Sequence, residues 1–425
     1  MEQDQFFELL KKKGTGHTMS KHLTDAELAQ LKGLFESENV FLESKATLLT
    51  AFKFLDNTPQ ENEWYHTYTY APLKDLYFPT QHKSLLSFYH RIAGQEFLTE
   101  HEMFQAMDAL CDETELGWVK AAFLEALRLR RESETENKSA LSWCLKKVSH
   151  IHTELPFLID LASPYDGLTR SCLILPFLGM VLGVLGYPCV VHGVHEMGPK
   201  YGLTPSKLLS LMHYPVNHSL NDAKNALHQS GFAYVDQSVF FPSLYQLQPL
   251  RKRMLKRPLF ATIEKLLLPL RAKKNYILTS YTHPPYKQMM SFLLNQDPLY
   301  ENWILIRGEE GSVQLPLDRR CPVVTKDEDG FIAPEDFGLS KTDLTFCEAD
   351  ALIEQAYFAF SGQKNQIYEK LVYQASFLMH HVSKVEKERA VQQVKEVLNS
   401  KKVLSTFSTF FDDFLKTKSK FHEKY

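Results

Sequence analysis

The first 145 residues carry apolar and polar positions at helical spacing, and they do so twice. Residues 22–66 align without a gap on residues 97–141 at an offset of 75. Leu23/Leu98, Thr24/Thr99, Glu27/Glu102, Gln30/Gln105, Lys45/Lys120, Ala46/Ala121, Leu49/Leu124, Ala51/Ala126, Glu61/Glu136 and Asn62/Asn137 are among the identities. In each copy a threonine is followed three residues on by a glutamate, the pattern of a capping box. An apolar stripe follows, then an acidic break, then a second helix opening near the Lys-Ala pair. The pattern predicts a duplicated helical unit, with copies over 1–70 and 71–145. Agreement position by position favours duplication over shared composition.

From about residue 146 the texture changes. The runs "PCVVHG" (188–193), "FAYV" (232–235), "NYILTSY" (275–281) and "NWILIRG" (302–308) read as strands, with helical patterns such as "PSKLLSLM" and "YKQMMSFLLNQ" between them. Alternating strand and helix predicts an α/β domain over 146–425, a mostly parallel central sheet flanked by helices and followed by C-terminal helices. Ligands of such sheets bind beyond the carboxyl ends of the strands, which points to the loops after His192, Tyr281 and Gly308. The uncharged stretch 173–191 has the length of a membrane span. Pro176, Pro188 and the Gly-Tyr break instead predict a helix near 175–185 and a buried strand near 189–192, with no role in a membrane. "KKKGTGHTMSK" at 11–21 contains Gly-Thr-Gly but follows no strand, and reads as a flexible basic lead-in to the first helix.

Charge changes this picture in one place. The net charge of −3 makes the chain as a whole no polyanion binder, so a nucleic-acid role requires a local patch. Residues 251–274 offer one, with nine Lys/Arg against one acid, Glu264. That segment suits phosphate, pyrophosphate or a nucleic-acid backbone, and equally a solvated helix face whose stems cover apolar surface. The six cysteines form no CxxC pair, which fits a reduced, cytoplasmic setting, and the N-terminus has no apolar signal core. Cys172 and Cys189 read as core. His192 and His195 lack a third metal ligand at suitable spacing, and His380-His381 reads as a helix C-terminal feature.

Five stretches in this order resemble the anthranilate phosphoribosyltransferase family, the glycosyltransferase group related to pyrimidine nucleoside phosphorylases. They are "LTEHEMFQAMDALCDE…KAAFLEALRLR", "CVVHGVHEMGPKYG", "QPLRKRMLKRPLFATIEKLLLPL", "ILIRGEEGSVQLP" and "IYEKLVYQASFLMHH…AVQQVKEVLNSKKVLSTF", and the resemblance spans about residues 22–416. It implies a helical domain on an α/β domain with the site in the cleft between them, a homodimer, and phosphoribosyl pyrophosphate bound with magnesium.

The signature residues depart from that pattern. The family's Gly-Thr-Gly-Gly-Asp phosphate loop is replaced by "SPYDGLTRS", with one glycine, Gly167. The following Asn-x-Ser-Thr becomes Leu173 to Pro176, and Lys-His-Gly-Asn becomes Val191-His192-Gly193-Val194. The metal-binding Asp-Glu pair becomes Val313-Gln314, with Glu309 and Glu310 nearby as weak metal candidates, while Arg251 matches an acceptor-contacting arginine. These losses argue against ordinary anthranilate phosphoribosyl transfer and place the chain on a divergent branch.

Three readings stay open. In the first, a transferase of altered specificity binds phosphoribosyl pyrophosphate or another phosphorylated ligand. Asp166, Gly167, Thr169, Arg170 and Ser171 form its anion loop, and His192, Gly193, Lys200, Arg251 and Arg257 complete the site. In the second, the same scaffold binds nucleic acid through 251–274 without catalysis. In the third, it is a structural dimer with a vestigial cleft.

Overall fold

The computed structural model describes residues 1–70, 84–296 and 298–422, which divide into two compact units. Unit one comprises Met1–Lys147 and Ser243–Glu264, and unit two comprises Val148–Pro242 and Lys265–Tyr425.

Unit one is helical. Its described helices up to Lys147 are α1 (Glu2–Lys13), α2 (Asp25–Glu36), α3 (Leu42–Phe54), α4 (Pro59–Tyr70), α5 (Ser84–Ala93), α6 (Glu100–Cys111), α7 (Gly117–Arg130) and α8 (Glu134–Lys147). Both predicted capping boxes form, Thr24 with Glu27 and Thr99 with Glu102. The other identities at the offset of 75 also carry structure. Buried Glu61 accepts from the N–H of Leu23 at 2.9 Å and of Thr58 at 2.8 Å, and Glu136 accepts from Leu98 at 2.9 Å and Ser133 at 2.8 Å. Lys45 donates to the carbonyl of Ser37 at 2.8 Å, and Lys120 to that of Asp112 at 2.5 Å. The helix preceding each copy also lays a cation on the capping-box glutamate, Lys12 on Glu27 and Arg91 on Glu102. Each copy is therefore α1–α4 or α5–α8, and α3 packs along α7. The predicted boundary at 70/71 lies beside residues 71–83, which are outside the described ones.

Two expectations are corrected in this unit. Residues 11–21 do not lead into the first helix but end it: 11–13 are the last turn of α1, Gly14 caps it through Leu10, and Lys13 is fully buried against Glu61 at 2.9 Å. Residues 243–264 belong with the helices and not with the α/β domain. The reason is local. The helix Gln248–Met254 buries Leu250 and Met254, Arg253 pairs with Glu43 at 2.7 Å, and Lys256 donates to the carbonyl of Leu10 at 3.2 Å.

Unit two is built on a sheet. Strands β2 (Phe157–Ala162), β3 (Cys189–Gly193), β4 (Phe232–Asp236), β6 (Lys274–Ser280), β7 (Asn302–Ile306), β8 (Cys321–Thr325) and β9 (Asp329–Ile332) form it in the order β4-β3-β2-β6-β7-β8-β9. β1 (Ile151–His152) and β5 (Leu270–Arg271) pair separately. Strands β2 to β7 run parallel and β8 and β9 are antiparallel, so the predicted α/β class holds with a mixed edge. The middle one of the five parallel strands is β2, which is not among the runs read as strands from the sequence.

The helices of this unit are α9 (Leu175–Val184), α10 (Pro205–Leu211), α11 (Leu220–Ser230), α12 (Pro284–Gln296), α13 (Ala349–Phe360), α14 (Gln366–Ser383), α15 (Lys387–Asn399) and α16 (Lys402–His422). The membrane-like stretch resolves as expected into helix α9 and strand β3, both deeply buried. No helix of the described residues is long and apolar enough to cross a membrane. Burial of α9 against β3, β4, α14 and α16 holds the sheet's flank, each fully buried side chain contributing roughly 1.5–3 kcal/mol.

Candidate functional site

Strand β2 ends at Ala162, and the chain leaves it through the predicted anion loop. Two glycines decide where that loop goes. Gly167 has φ +72, and a Cβ there would lie 2.6 Å from the Leu203 carbonyl oxygen; a Cβ on Gly202 would lie 2.5 Å from that of Leu168. With no side chains in the way, the backbones meet. Leu168 N–H donates to Leu203 at 3.0 Å, and Leu203 N–H returns to Leu168 at 2.7 Å. Gly202 N–H donates to the carbonyl of Asp166, which is buried. This clip brings the loop after β3, with Lys200, beside Thr169 and Arg170.

The donors so gathered converge on one group, the carboxylate of Glu310. It accepts from the N–H of Arg170 at 2.7 Å, from the N–H of Thr169 at 3.2 Å, from the Thr169 hydroxyl at 3.2 Å and from Lys200 at 2.7 Å. Burial alone would raise the Glu310 carboxyl, but Lys200, Arg170 and Thr169 hold it at about 2. Its backbone sits in the left-handed region at φ 50, which is unfavourable for a glutamate. Two backbone amides, a hydroxyl and an ammonium form the donor set that a phosphate or pyrophosphate oxygen requires.

Glu309, one residue back, turns elsewhere. It is buried and pairs with the fully buried Lys370. Gln314 donates to the carbonyl of Cys172 at 2.8 Å and accepts from the N–H of Ile174 at 2.7 Å, which satisfies the start of α9 in place of a polar cap. The weak metal candidates are therefore each neutralised by a separate lysine. Among the described residues no group of three or more His, Cys, Asp or Glu converges on a metal position. These residues do not fit magnesium.

His192 and Gly193 close strand β3, buried. His192 Nε2 lies 3.2 Å from Asp160 Oδ1, and its Nδ1 lies 2.5 Å from the Tyr165 hydroxyl. Tyr300 donates to Asp160 Oδ2 at 3.1 Å. With the Nε2 proton on Asp160, Nδ1 accepts from Tyr165, so one buried chain links β2 and β3 to the root of the anion loop. Asp160, Tyr165 and Tyr300 went unnoticed in the sequence; the one signal was an aspartate inside an apolar run. Ser171 is half-buried, next to Arg170 in the chain. Cys172, read as core, is buried and touches Cys347.

Arg251 and Arg257 lie in unit one. Arg251 is buried and holds Glu264 with two hydrogen bonds, at 2.6 and 3.1 Å. That pairing engages both terminal nitrogens of its guanidinium inside unit one. Arg257 is exposed.

Comparison with known proteins matches this architecture. No family model matches the chain. It is 26% identical over 305 residues to an uncharacterized protein of Aquifex aeolicus, covering 70% of this chain and 93% of that one. It is 23% identical over 330 residues to the anthranilate phosphoribosyltransferase of Aeropyrum pernix, covering 74% and 93% of the two chains. The Saccharomyces cerevisiae anthranilate phosphoribosyltransferase in complex with phosphoribosyl pyrophosphate and magnesium superposes with a TM-score of 0.64 at 14% identity, over 78% of this chain and 98% of that one. The chain is thus similar in sequence and in fold to anthranilate phosphoribosyltransferases, at low identity. The low identity accords with the altered signature residues, and the shared fold with the sheet and helices described above.

Proposed function

We propose that this phosphoribosyltransferase-like chain binds a phosphorylated pentose at the Thr169–Arg170–Lys200 cradle, without a divalent metal, in competition with its own Glu310. The observation that carries the reading is the carboxylate seated among those four donors. A carboxylate and a phosphate oxygen ask the same of a site: fixed N–H groups and a cation. In ribosyl transfer the departing phosphate or pyrophosphate gathers negative charge as the sugar becomes cationic, and preorganised donors of this kind stabilise it. Lys200 supplies the positive charge, and no step is assigned to magnesium. The acceptor contact implied for Arg251 has no support in its pairing with Glu264.

The nucleic-acid reading draws less support from the geometry. Arg251, Arg253 and Lys274 are ion-paired, and Lys256 and Lys265 are buried.

Titration calorimetry with phosphoribosyl pyrophosphate tests the proposal. Weak binding is expected for the native chain, at least roughly tenfold tighter binding for Glu310→Gln, and no gain from magnesium. A tenfold gain corresponds to about 1.4 kcal/mol. Absence of heat at millimolar ligand in both proteins would remove the reading, and binding that requires magnesium would overturn its metal-free form.

A further inference from the structure

Two cysteines far apart in sequence stand next to the cradle. Cys172 follows Ser171 directly, and Cys347 precedes Glu348, the N-cap residue of α13. They are 175 residues apart, both are free thiols, and their sulfurs lie 3.3 Å from each other. A disulfide requires about 2.05 Å, so the sulfurs need to approach by roughly 1.3 Å. Cys347 sits in an irregular stretch, residues 339–348, whose chain is not locked into a helix or a strand. It is half-buried, whereas Cys172 is buried. A small oxidant therefore reaches the pair from the Cys347 side.

The other cysteines differ. Burial pushes the Cys111 thiol to about 11 and the Cys321 thiol to about 12, and drives Cys144 and Cys189 well above the ordinary thiol value. At Cys172 the hydrogen bond from Cys347 outweighs burial and holds the thiol at about 7, and Cys347 shifts upward in response. Lys370 also favours the Cys172 thiolate. The pair thus combines a reachable sulfur with an adjacent nucleophile, the two parts a reversible dithiol needs.

We infer that Cys172 and Cys347 are a peroxide-sensitive dithiol whose disulfide ties the anion loop to the start of α13. Hydrogen peroxide enters past Cys347, and the Cys172 thiolate attacks it; the O–O bond breaks, leaving a Cys172 sulfenic acid and a hydroxide that takes up the proton Cys172 had released, giving one water. The Cys347 thiol attacks the Cys172 sulfur, the S–S bond forms, and the S–O bond breaks. The departing hydroxide combines with the proton released by Cys347. Two thiols and one peroxide become one disulfide and two waters, and an external thiol reverses the change. The cross-link depends only on the thiol geometry and not on which ligand the cradle takes.

The test treats the full-length chain with equimolar hydrogen peroxide, alkylates the remaining thiols, and maps the digest by mass spectrometry. The expected product is a Cys172–Cys347 linked peptide pair, lighter by the two thiol hydrogens and released by dithiothreitol. Cys347→Ser should abolish it and leave Cys172 as a sulfenic acid that dithiothreitol reduces. Amide hydrogen exchange over 168–174 should slow at least several-fold on oxidation and recover on reduction. Recovery of both cysteines alkylated after peroxide would overturn the inference. So would linkage spread indiscriminately over the other cysteines, or over-oxidation of Cys172 with no linked product.

Discussion

Lys200 Nζ lies 2.7 Å from a Glu310 carboxylate oxygen, and the Leu168–Leu203 bridge joins the loop of Lys200 to that of Thr169 and Arg170, which donate to the same carboxylate. The Glu310 carboxyl stays at about 2 because Lys200, Arg170 and Thr169 outweigh the effect of burial. A carboxyl depressed on folding contributes stability that is fully present above its unfolded value, near 4.5, and is lost as pH falls through about 2. Lys200→Ala should raise the Glu310 value and narrow that window from its acid side. A carboxyl-resolved NMR titration checks this; an unchanged Glu310 titration in Lys200→Ala would count against the pairing.

The duplicated helical copies predict matching vulnerabilities. Glu61 neutralises the fully buried Lys13, and Glu136 neutralises the nearly buried Arg130. Each also accepts two backbone N–H groups. Glu61→Ala and Glu136→Ala should each cost about 3–5 kcal/mol, because a buried cation and two amides lose their partner together. Urea unfolding of the two variants measures it, and a loss below about 1 kcal/mol in either would contradict the assigned role.

Much of this was legible in the sequence, for physical reasons that also explain the misses. Thr24, Glu27 and their counterparts announced capping boxes because that interaction is local and has a fixed spacing. The Pro176 and Pro188 breaks separated α9 from β3 because proline constrains the backbone wherever it stands. Glu310 in the cradle could not be read, since its donors lie about 110 to 141 residues away and meet it only through the fold. The basic run at 251–274 stayed open between two readings because charge in a sequence says nothing about pairing. Arg251 finds Glu264 thirteen residues on, and Arg253 finds Glu43 from α3. Strand β2 was missed because buried Asp160 interrupts an apolar run, and its partners His192 and Tyr300 come from elsewhere in the chain.

Lys256 offers a test of the reassigned basic segment. Burial lowers its ammonium to about 8 from the usual 10.5. Between those values the unfolded chain binds more protons than the folded one, so stability from this residue rises with pH from about 8 to 10.5. The gain is about 3 kcal/mol at most. Lys256→Met should flatten that rise when the difference from the native chain is taken across alkaline pH by urea denaturation. Lys256→Glu should destabilise the fold outright, since it buries an acid in the lysine's place. A charge-reversed protein that keeps its full stability would show the side chain to be solvated.

The buried chain from Tyr165 through His192 and Asp160 to Tyr300 predicts coupled losses. Tyr165→Phe leaves His192 Nδ1 without its 2.5 Å partner and should cost about 1–2 kcal/mol. Asp160→Ala removes the acceptor for both His192 and Tyr300 in strand β2 and should cost about 3–5 kcal/mol. The double variant should lose less than the sum, because once Asp160 is gone the imidazole is free to turn its remaining proton toward another acceptor. Thermodynamic cycles from urea unfolding give the coupling directly. Strict additivity would mean that Tyr165 and Asp160 hold His192 independently, and that the root of the anion loop is positioned by the Leu168–Leu203 bridge alone.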